Sequence, residues 1–436
     1  MINEGLSDSS MDRQRFDFQP FKAWLNWCLA VLFVILVFSF QTGYAITNLG
    51  MQADLSLSVA QIGLIGSIYT WAFALTQILS GSILDRLGIR WVLPSAAAIV
   101  SIGGLIFAHA SSLEALIAGQ VLMAIGGSFG FIGAGYTGGA WFGALKYGLM
   151  FSWVQFVSSM SALAGQRILG QLVTRIAWQE ILASMAWAGL VLSLFMFILM
   201  RNPLSRNQSK THWPGGFGFL RSVFSALHEV LSIRGSWINA LISGASFGSM
   251  LALGIVWGPK FLVATGMSQT DAFTASSTMW AGLALGAPAF IWFSETLRSR
   301  KWPLLIGCAL QLLTIEAVMF LSDVSPLTAT VIFFIWGFMA AASMLNFAVG
   351  ADLVREELTG TSAAVVNAVQ FITAGLIMAI PGWILSRLTS DRMADAVSSG
   401  LQNTYFDHQL ALLIFPGSLS VALLLFPFFH ETHPRA

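Results

Sequence analysis

With 436 residues, of which 56% are hydrophobic and 9% charged, the chain has more apolar surface than one soluble core of this length can enclose, so lipid is its expected solvent. A formal net charge of +1 argues against nucleic acid or any other polyanion as a partner. The two cysteines, Cys28 and Cys308, fall in apolar stretches of opposite halves and read as free buried thiols, so no disulfide, metal site or cofactor is expected.

Windows of about 20 mostly apolar residues, enough to cross the hydrocarbon core as a helix, recur twelve times. They read as spans over 24–46, 60–82, 91–110, 113–140, 148–173 and 178–200, then 237–262, 270–293, 303–322, 326–350, 361–386 and 409–428. The apolar runs are continuous rather than alternating, which predicts helices and not a barrel. The expected fold is therefore all-α and integral to the membrane, with twelve transmembrane helices in two six-helix bundles. Residues 1–23 form a polar tail, 24–200 the first bundle, 201–236 a linker, 237–428 the second bundle and 429–436 a second tail.

The first tail carries Asp12, Arg13, Arg15 and Asp17 and reads as a solvated segment, not a signal peptide. Of the 21 Lys and Arg residues, sixteen collect on one side of the membrane if the amino terminus is inside, and only Arg175, Lys260, Arg387 and Arg392 fall outside. By the positive-inside rule both termini are expected in the cytoplasm, and the short loops favour a bacterial inner membrane.

Between the second and third spans lies Gly81-Ser82-Ile83-Leu84-Asp85-Arg86-Leu87-Gly88-Ile89-Arg90, which concentrates turn residues and charge in an otherwise oily chain. The two glycines permit close helix approach and a tight turn, and a carboxylate here can face the positive amino-terminal end of another helix. The loop resembles the Gly-x-x-x-Asp-Arg-x-Gly-x-Arg/Lys signature of the major facilitator superfamily, at the same ordinal position. That resemblance implies a secondary transporter working by alternating access. It makes Gly81, Asp85, Arg86, Gly88 and Arg90 gate residues, with Asp85 bracing the start of the eleventh span, Gly360-Thr361-Ser362, when the outside is open.

The fourth span reads Leu116-Ile117-Ala118-Gly119-Gln120, with Gln120 where many proton-coupled relatives carry arginine. Its glycines 126, 127, 130, 133, 135, 138 and 139 read as close-packing positions. The fifth span contains no proline, unlike drug antiporters of the family, and its Gln155, Ser159 and Gln166 share a face. Arg167 follows; it is either a carboxylate partner in the cavity or a residue that snorkels to the interface. The stretches 81–91 and 126–148 resemble the branch holding lysosomal dipeptide carriers and bacterial organic-anion permeases.

In the linker, Phe219, Leu220, Val223, Phe224, Leu227, Val230 and Leu231 recur at helical spacing opposite Arg221, Ser225, His228 and Glu229, which predicts an amphipathic helix on the membrane surface. In the second half, the loop 294–301 keeps acid and base but lacks both glycines, a degenerate copy of the first-half loop. Gly148 and Gly360 are each followed seven residues later by an amide, Gln155 and Asn367, consistent with an internal repeat. Glu316, in the ninth span, is either a protonatable coupling residue at bilayer depth or a Glu that is neutral and hydrogen-bonded or snorkels to the interface, the latter being the expectation.

The resemblance places the cavity mainly among spans 1, 4, 7 and 10, with help from 2, 5, 8 and 11. Its candidates for substrate or coupling are Gln41, Tyr44, Gln120, Tyr136, Gln155, Gln166, Arg167, Asn239, Trp257, Trp336, Asn346, Asn367 and Gln370, with Asn48, Tyr69, Gln77 and Trp280 beside them. For each, the competing role is packing between helices. Such a cavity suits a carboxylate, an amino acid or a short peptide, taken up by a monomer in symport with a proton or other ion. An exporter of an amphiphilic compound or siderophore, and a sensor that transports nothing, are the alternatives. No paired carboxylates or nucleophile motif suggest an enzyme.

Overall fold

The computed structural model describes residues 19–203, 215–320, 324–395 and 405–433, and within them the chain is helical with no β-strand. The first six spans are Pro20–Asp54, Val59–Leu87, Ile89–Ala108, Leu113–Gly127 continued by Gly130–Phe142, Tyr147–Leu172 and Trp178–Leu199. After the linker helix Gly215–Ser232, the seventh span runs in pieces from Arg234 to Ala264. It is followed by Gln269–Leu297, Lys301–Phe320, Pro326–Ala340 continued to Asp352, Thr359–Asp395, and Tyr405–Leu412 with Ile414–Leu425.

Among the described residues, nine segments are long and apolar enough to cross a membrane. The fifth, seventh and eighth spans complete the twelve. The fifth and eighth carry many serines, threonines and amides, and the seventh is interrupted by π-helical turns at Gly244–Gly248 and Leu253–Trp257. Half-exposed tryptophans mark the starts of the first, third, seventh and ninth spans: Trp24, Trp91, Trp237 and Trp302. These are all at the end of the molecule that carries the 81–90 loop, here called the motif end, as the residues of an interfacial aromatic belt would be. Cys28 is exposed on its helix rather than buried as expected, whereas Cys308 is buried.

At the opposite, far end, four helix starts are capped by their own neighbouring serine. Ser58 accepts from the Gln61 N–H and Gln61 returns a bond to the Ser58 N–H. Ser112, Ser268 and Ser325 accept from the N–H groups of Ala115, Asp271 and Thr328. Each such cap is worth about 1 kcal/mol. The two halves meet along two seams, second span against eleventh and fifth against eighth.

The linker helix departs from the expected single apolar face on the membrane. Val223, Ala226 and Val230 are buried, and Ala226 and Val230 form a small second core with Ala240, Leu358 and Val365. Phe217, Leu220 and Phe224 stay exposed on the other side. Protein packing has thus taken part of the face that the helical periodicity assigned to lipid.

Candidate functional site

At the motif end the second and eleventh spans touch. A Cβ on Gly81 would lie 1.8 Å from the Gly360 carbonyl oxygen, so only glycine allows this crossing. The close approach delivers Asp85 to the amino-terminal end of the eleventh span. Its Oδ1 accepts from the Gly360 N–H at 3.0 Å, and its Oδ2 from the Thr361 N–H at 2.7 Å and the Thr361 hydroxyl at 2.8 Å. Ser82 and Thr361 share a further hydroxyl bond of 2.9 Å. A carboxylate that takes N–H groups left unpaired at a helix start uses both charge-assisted hydrogen bonding and the helix dipole. Tyr147 adds a bond from its hydroxyl to the Thr359 carbonyl at 3.3 Å.

The remaining motif residues serve the same end of the molecule. Gly88 has φ of 72° and turns the chain between the second and third spans. The Asn202 side chain lies over it and accepts from the Arg90 N–H at 3.1 Å. Arg86 points to the linker helix, where its Nε donates to Ser222 Oγ at 2.7 Å. In the second half, the glycine-poor loop is completed from outside. Glu431 of the carboxy-terminal tail accepts from the Ser299 hydroxyl and from the N–H groups of Arg300 and Lys301. Burial pushes the Glu431 carboxyl up, but the hydrogen bonds from Ser299, Arg300, His433 and Lys301 outweigh it and hold the group at about 2.

Above this closed end sits an aromatic plug. Phe151 and Phe347 stack across the halves with centroids 4.5 Å apart, and Phe131 packs on both at 5.7 and 5.6 Å. Beyond the plug lies a cavity of about 30 Å³ bounded by both halves. Its polar lining is three amides, Gln41, Gln155 and Asn367, and its walls include Phe38, Phe73, Phe131, Phe247 and Phe371. Gln41 donates to the Tyr69 hydroxyl at 2.9 Å and Gln155 to Ser159 at 2.9 Å. The Asn367 Nδ2 is buried against the cavity and has no hydrogen-bond partner. Two backbone irregularities flank the space, the break of the fourth span after Gly127 and the π-turn that carries Phe247.

Ligand pockets for small molecules run to several hundred Å³. At this size the cavity would have to widen to admit such a solute; Phe73 of the second span and Phe371 of the eleventh meet at its wall, 4.9 Å between centroids.

The other candidates are distributed differently. Asn239 and Asn346 bond each other across the seventh and tenth spans, at 2.7 and 2.9 Å, as packing glue, although the Asn346 Oδ1 is left without a partner. Tyr44 donates to the Ile62 carbonyl at 2.5 Å and Gln370 to Ser243 at 2.7 Å, again helix to helix. Trp257 donates to the Met378 carbonyl at 3.1 Å with Lys260 over its ring. Gln120, Tyr136 and Trp336 are buried but do not line the cavity. Glu316 is exposed on the outer face of the ninth span, away from the cavity lining. The side chains of Gln166 and Arg167 lie outside the described residues.

Sequence reading missed the phenylalanine walls, because five among 34 phenylalanines carry no distinguishing signal. It also missed Ser222, Asn202 and Glu431, whose roles depend on distant partners.

The Major Facilitator Superfamily profile matches residues 28–379. A probable galactarate/D-glucarate transporter of Escherichia coli is 25% identical over 385 residues, covering 78% of this chain and 82% of that protein. An uncharacterized transporter of Bacillus subtilis is 21% identical over 170 residues, 39% of each chain. Among solved structures, the proton:xylose symporter XylE bound to 6-bromo-6-deoxy-D-glucose superposes with a TM-score of 0.66 at 15% identity, covering 94% of this chain and 96% of that one. A bacterial homolog of the human lysosomal transporter Spinster, inward-facing and unoccupied, gives 0.60 at 19% identity over 94% and 97%.

Proposed function

The chain belongs to the major facilitator superfamily of membrane transporters, and from that premise we propose that it takes up a small hydroxylated carboxylate, such as a sugar acid, by alternating access. The observation that carries this reading is the pair Gln155 and Asn367. These amides stand at matching positions of the two halves, face one cavity, and include a buried N–H donor awaiting an acceptor oxygen. An unpaired buried donor costs free energy, and a solute oxygen would relieve it. Aromatic walls suit the C–H faces of a polyol, and the similarity to a galactarate/D-glucarate transporter supports a carboxylate. Arg167 of the fifth span is the proposed partner of the carboxylate, and a symported proton or ion is the proposed energy source.

The motif end is assigned to the cytoplasm, since most Lys and Arg lie there. In this reading the closed motif end is a cytoplasmic gate that is shut while solute loads from outside. Gly81, Asp85, Arg86, Gly88 and Arg90 are gate residues in this reading.

A second reading, export of an amphiphilic compound, draws on the five phenylalanines and on the lack of a charged side chain among the described lining residues. Thermal stabilisation of the purified protein by sugar acids, neutral sugars, amino acids, dipeptides and siderophores separates the two. Stabilisation by a sugar acid that is lost in both Asn367→Ala and Arg167→Gln supports uptake. Stabilisation only by bulky apolar compounds, indifferent to Arg167→Gln, replaces it with export.

A further inference from the structure

The linker helix Gly215–Ser232 touches both sides of the seam that is closed at the motif end. On the first-half side, Arg86 sits one residue past Asp85. It donates from Nε to Ser222 Oγ at 2.7 Å, from a second guanidinium nitrogen to the Ser222 carbonyl, and from Nη1 to the Ser82 carbonyl at 3.1 Å. On the second-half side, Arg355 lies five residues before Gly360. Its Nη2 donates to both carboxylate oxygens of Glu229 at 2.8 and 2.9 Å.

Ser222 and Glu229 are seven residues apart, which places them within about 20° on one helix face and about 10 Å apart along it. Beside these polar contacts the helix buries Ala226 and Val230 against Leu358, Val365 and Ala240. The helix is therefore held to the eleventh span by an apolar patch and an ion pair. To the second span, by contrast, it is held by the polar Arg86 contacts.

We propose that this helix is a strap that holds the motif end shut, so that the Arg86–Ser222 contact and the bonds of Asp85 to Gly360 and Thr361 form and break together. The physical reason is rigidity. When the halves rock open, the second span leaves the eleventh, and a single helix fixed at Ser222 and Glu229 cannot follow both. The contact to Arg86 is the one that yields, because water can replace half-buried polar bonds, whereas separating the apolar patch from the eleventh span would expose it. The Glu229–Arg355 pair is exposed, at 46% and 68%, and on its own contributes little; its role is to fix the helix in register over Leu358. A linker helix acting only as a tether would have no reason to bind one arginine on each side of the seam.

Hydrogen exchange of the purified full chain, read on peptides covering 81–90 and 356–364, tests the strap without any knowledge of the solute. Val230→Asp puts a charge into the small core and should speed exchange in both peptides about tenfold, whereas Glu229→Arg reverses one exposed clip and should speed it about threefold. Combining Glu229→Arg with Arg355→Glu should restore the slow exchange. The proposal is overturned if residues 217–231 exchange freely in either variant while 81–90 and 356–364 keep their original rates. It is also overturned if the exchanged pair restores nothing. Glu229 is at the surface, so its reversal carries the test even if Val230→Asp does not fold.

Discussion

The two ends of the molecule end their helices by different means. At the far end Ser58, Ser112, Ser268 and Ser325 each cap the helix they precede, from a position three residues away. At the motif end the third, ninth and eleventh spans take their caps from elsewhere in the chain: Asn202, Glu431 and Asp85. A local cap survives any tilt of the bundle, because it moves with its helix. A distant cap survives only while its two elements stay together. Asn202 and Glu431 cap within their own halves, at matching places after the sixth and twelfth spans. Asp85 alone of the three reaches across the seam, so rocking of the halves would break its bonds and leave the others intact.

Breaking the crossing itself should have the largest effect. Gly81→Ala places a methyl group where the Gly360 carbonyl oxygen now sits, and since the obstacle is backbone the seam cannot close without moving a helix. Transport should fall at least about a hundredfold while insertion and far-end packing persist; uptake in reconstituted vesicles, set beside the melting profile, measures both. Asp85→Asn comes next. It keeps the shape, loses the charge, and turns an amide N–H toward the Thr361 donor, so the closed end should lose about 1.5–3 kcal/mol. Turnover should drop roughly tenfold or more with solute affinity nearly unchanged, and equal turnover would remove Asp85 from the gate.

A smaller effect is expected from Glu431, whose bonds stay within one half. Because its folded carboxyl is held down at about 2, below the ordinary 4.5, its contribution is fully present above 4.5 and is lost as pH falls from there toward 2. Tail docking, followed by limited proteolysis, should therefore be flat from neutral pH to about 4.5, then weaken, and Glu431→Gln should weaken it above about 4.5, with the difference from the native chain closing as pH falls toward 2, without altering exchange at Gly360. The smallest effect is set for Ser58→Ala, at about 1 kcal/mol of stability, with turnover unchanged. A turnover defect there would show that the far-end caps also participate in the cycle, and would erase the contrast between the ends.

Much of the architecture was legible before any coordinates, because crossing a membrane forces long apolar helices whose number and spacing are written in composition. The 81–90 loop was legible too, since its glycines and charges are rare in their surroundings. The cavity was less so. Gln155 and Asn367 were recoverable as amides at repeated positions, but Asn239, Asn346, Tyr44 and Gln370 look the same in sequence and bond to neighbouring helices instead. A polar residue in an apolar helix must find a partner, and whether that partner is a helix or a solute depends on how the helix is rotated.

The linker shows the same division. Periodicity determined that residues 215–232 form an amphipathic helix, yet it could not apportion the apolar side between lipid and protein. Only the packing of Ala226 and Val230 against Leu358 and Val365 decided that, and with it the meeting of Ser222 with Arg86. By itself the sequence determined span count and the turn residues and charges of the 81–90 loop, because each rests on interactions within a few residues or on transfer to lipid. The distant caps, the phenylalanine walls and the strap were decided by tertiary structure. They depend on contacts between residues up to about 275 positions apart, as with Asp85 and Gly360, which no local pattern encodes.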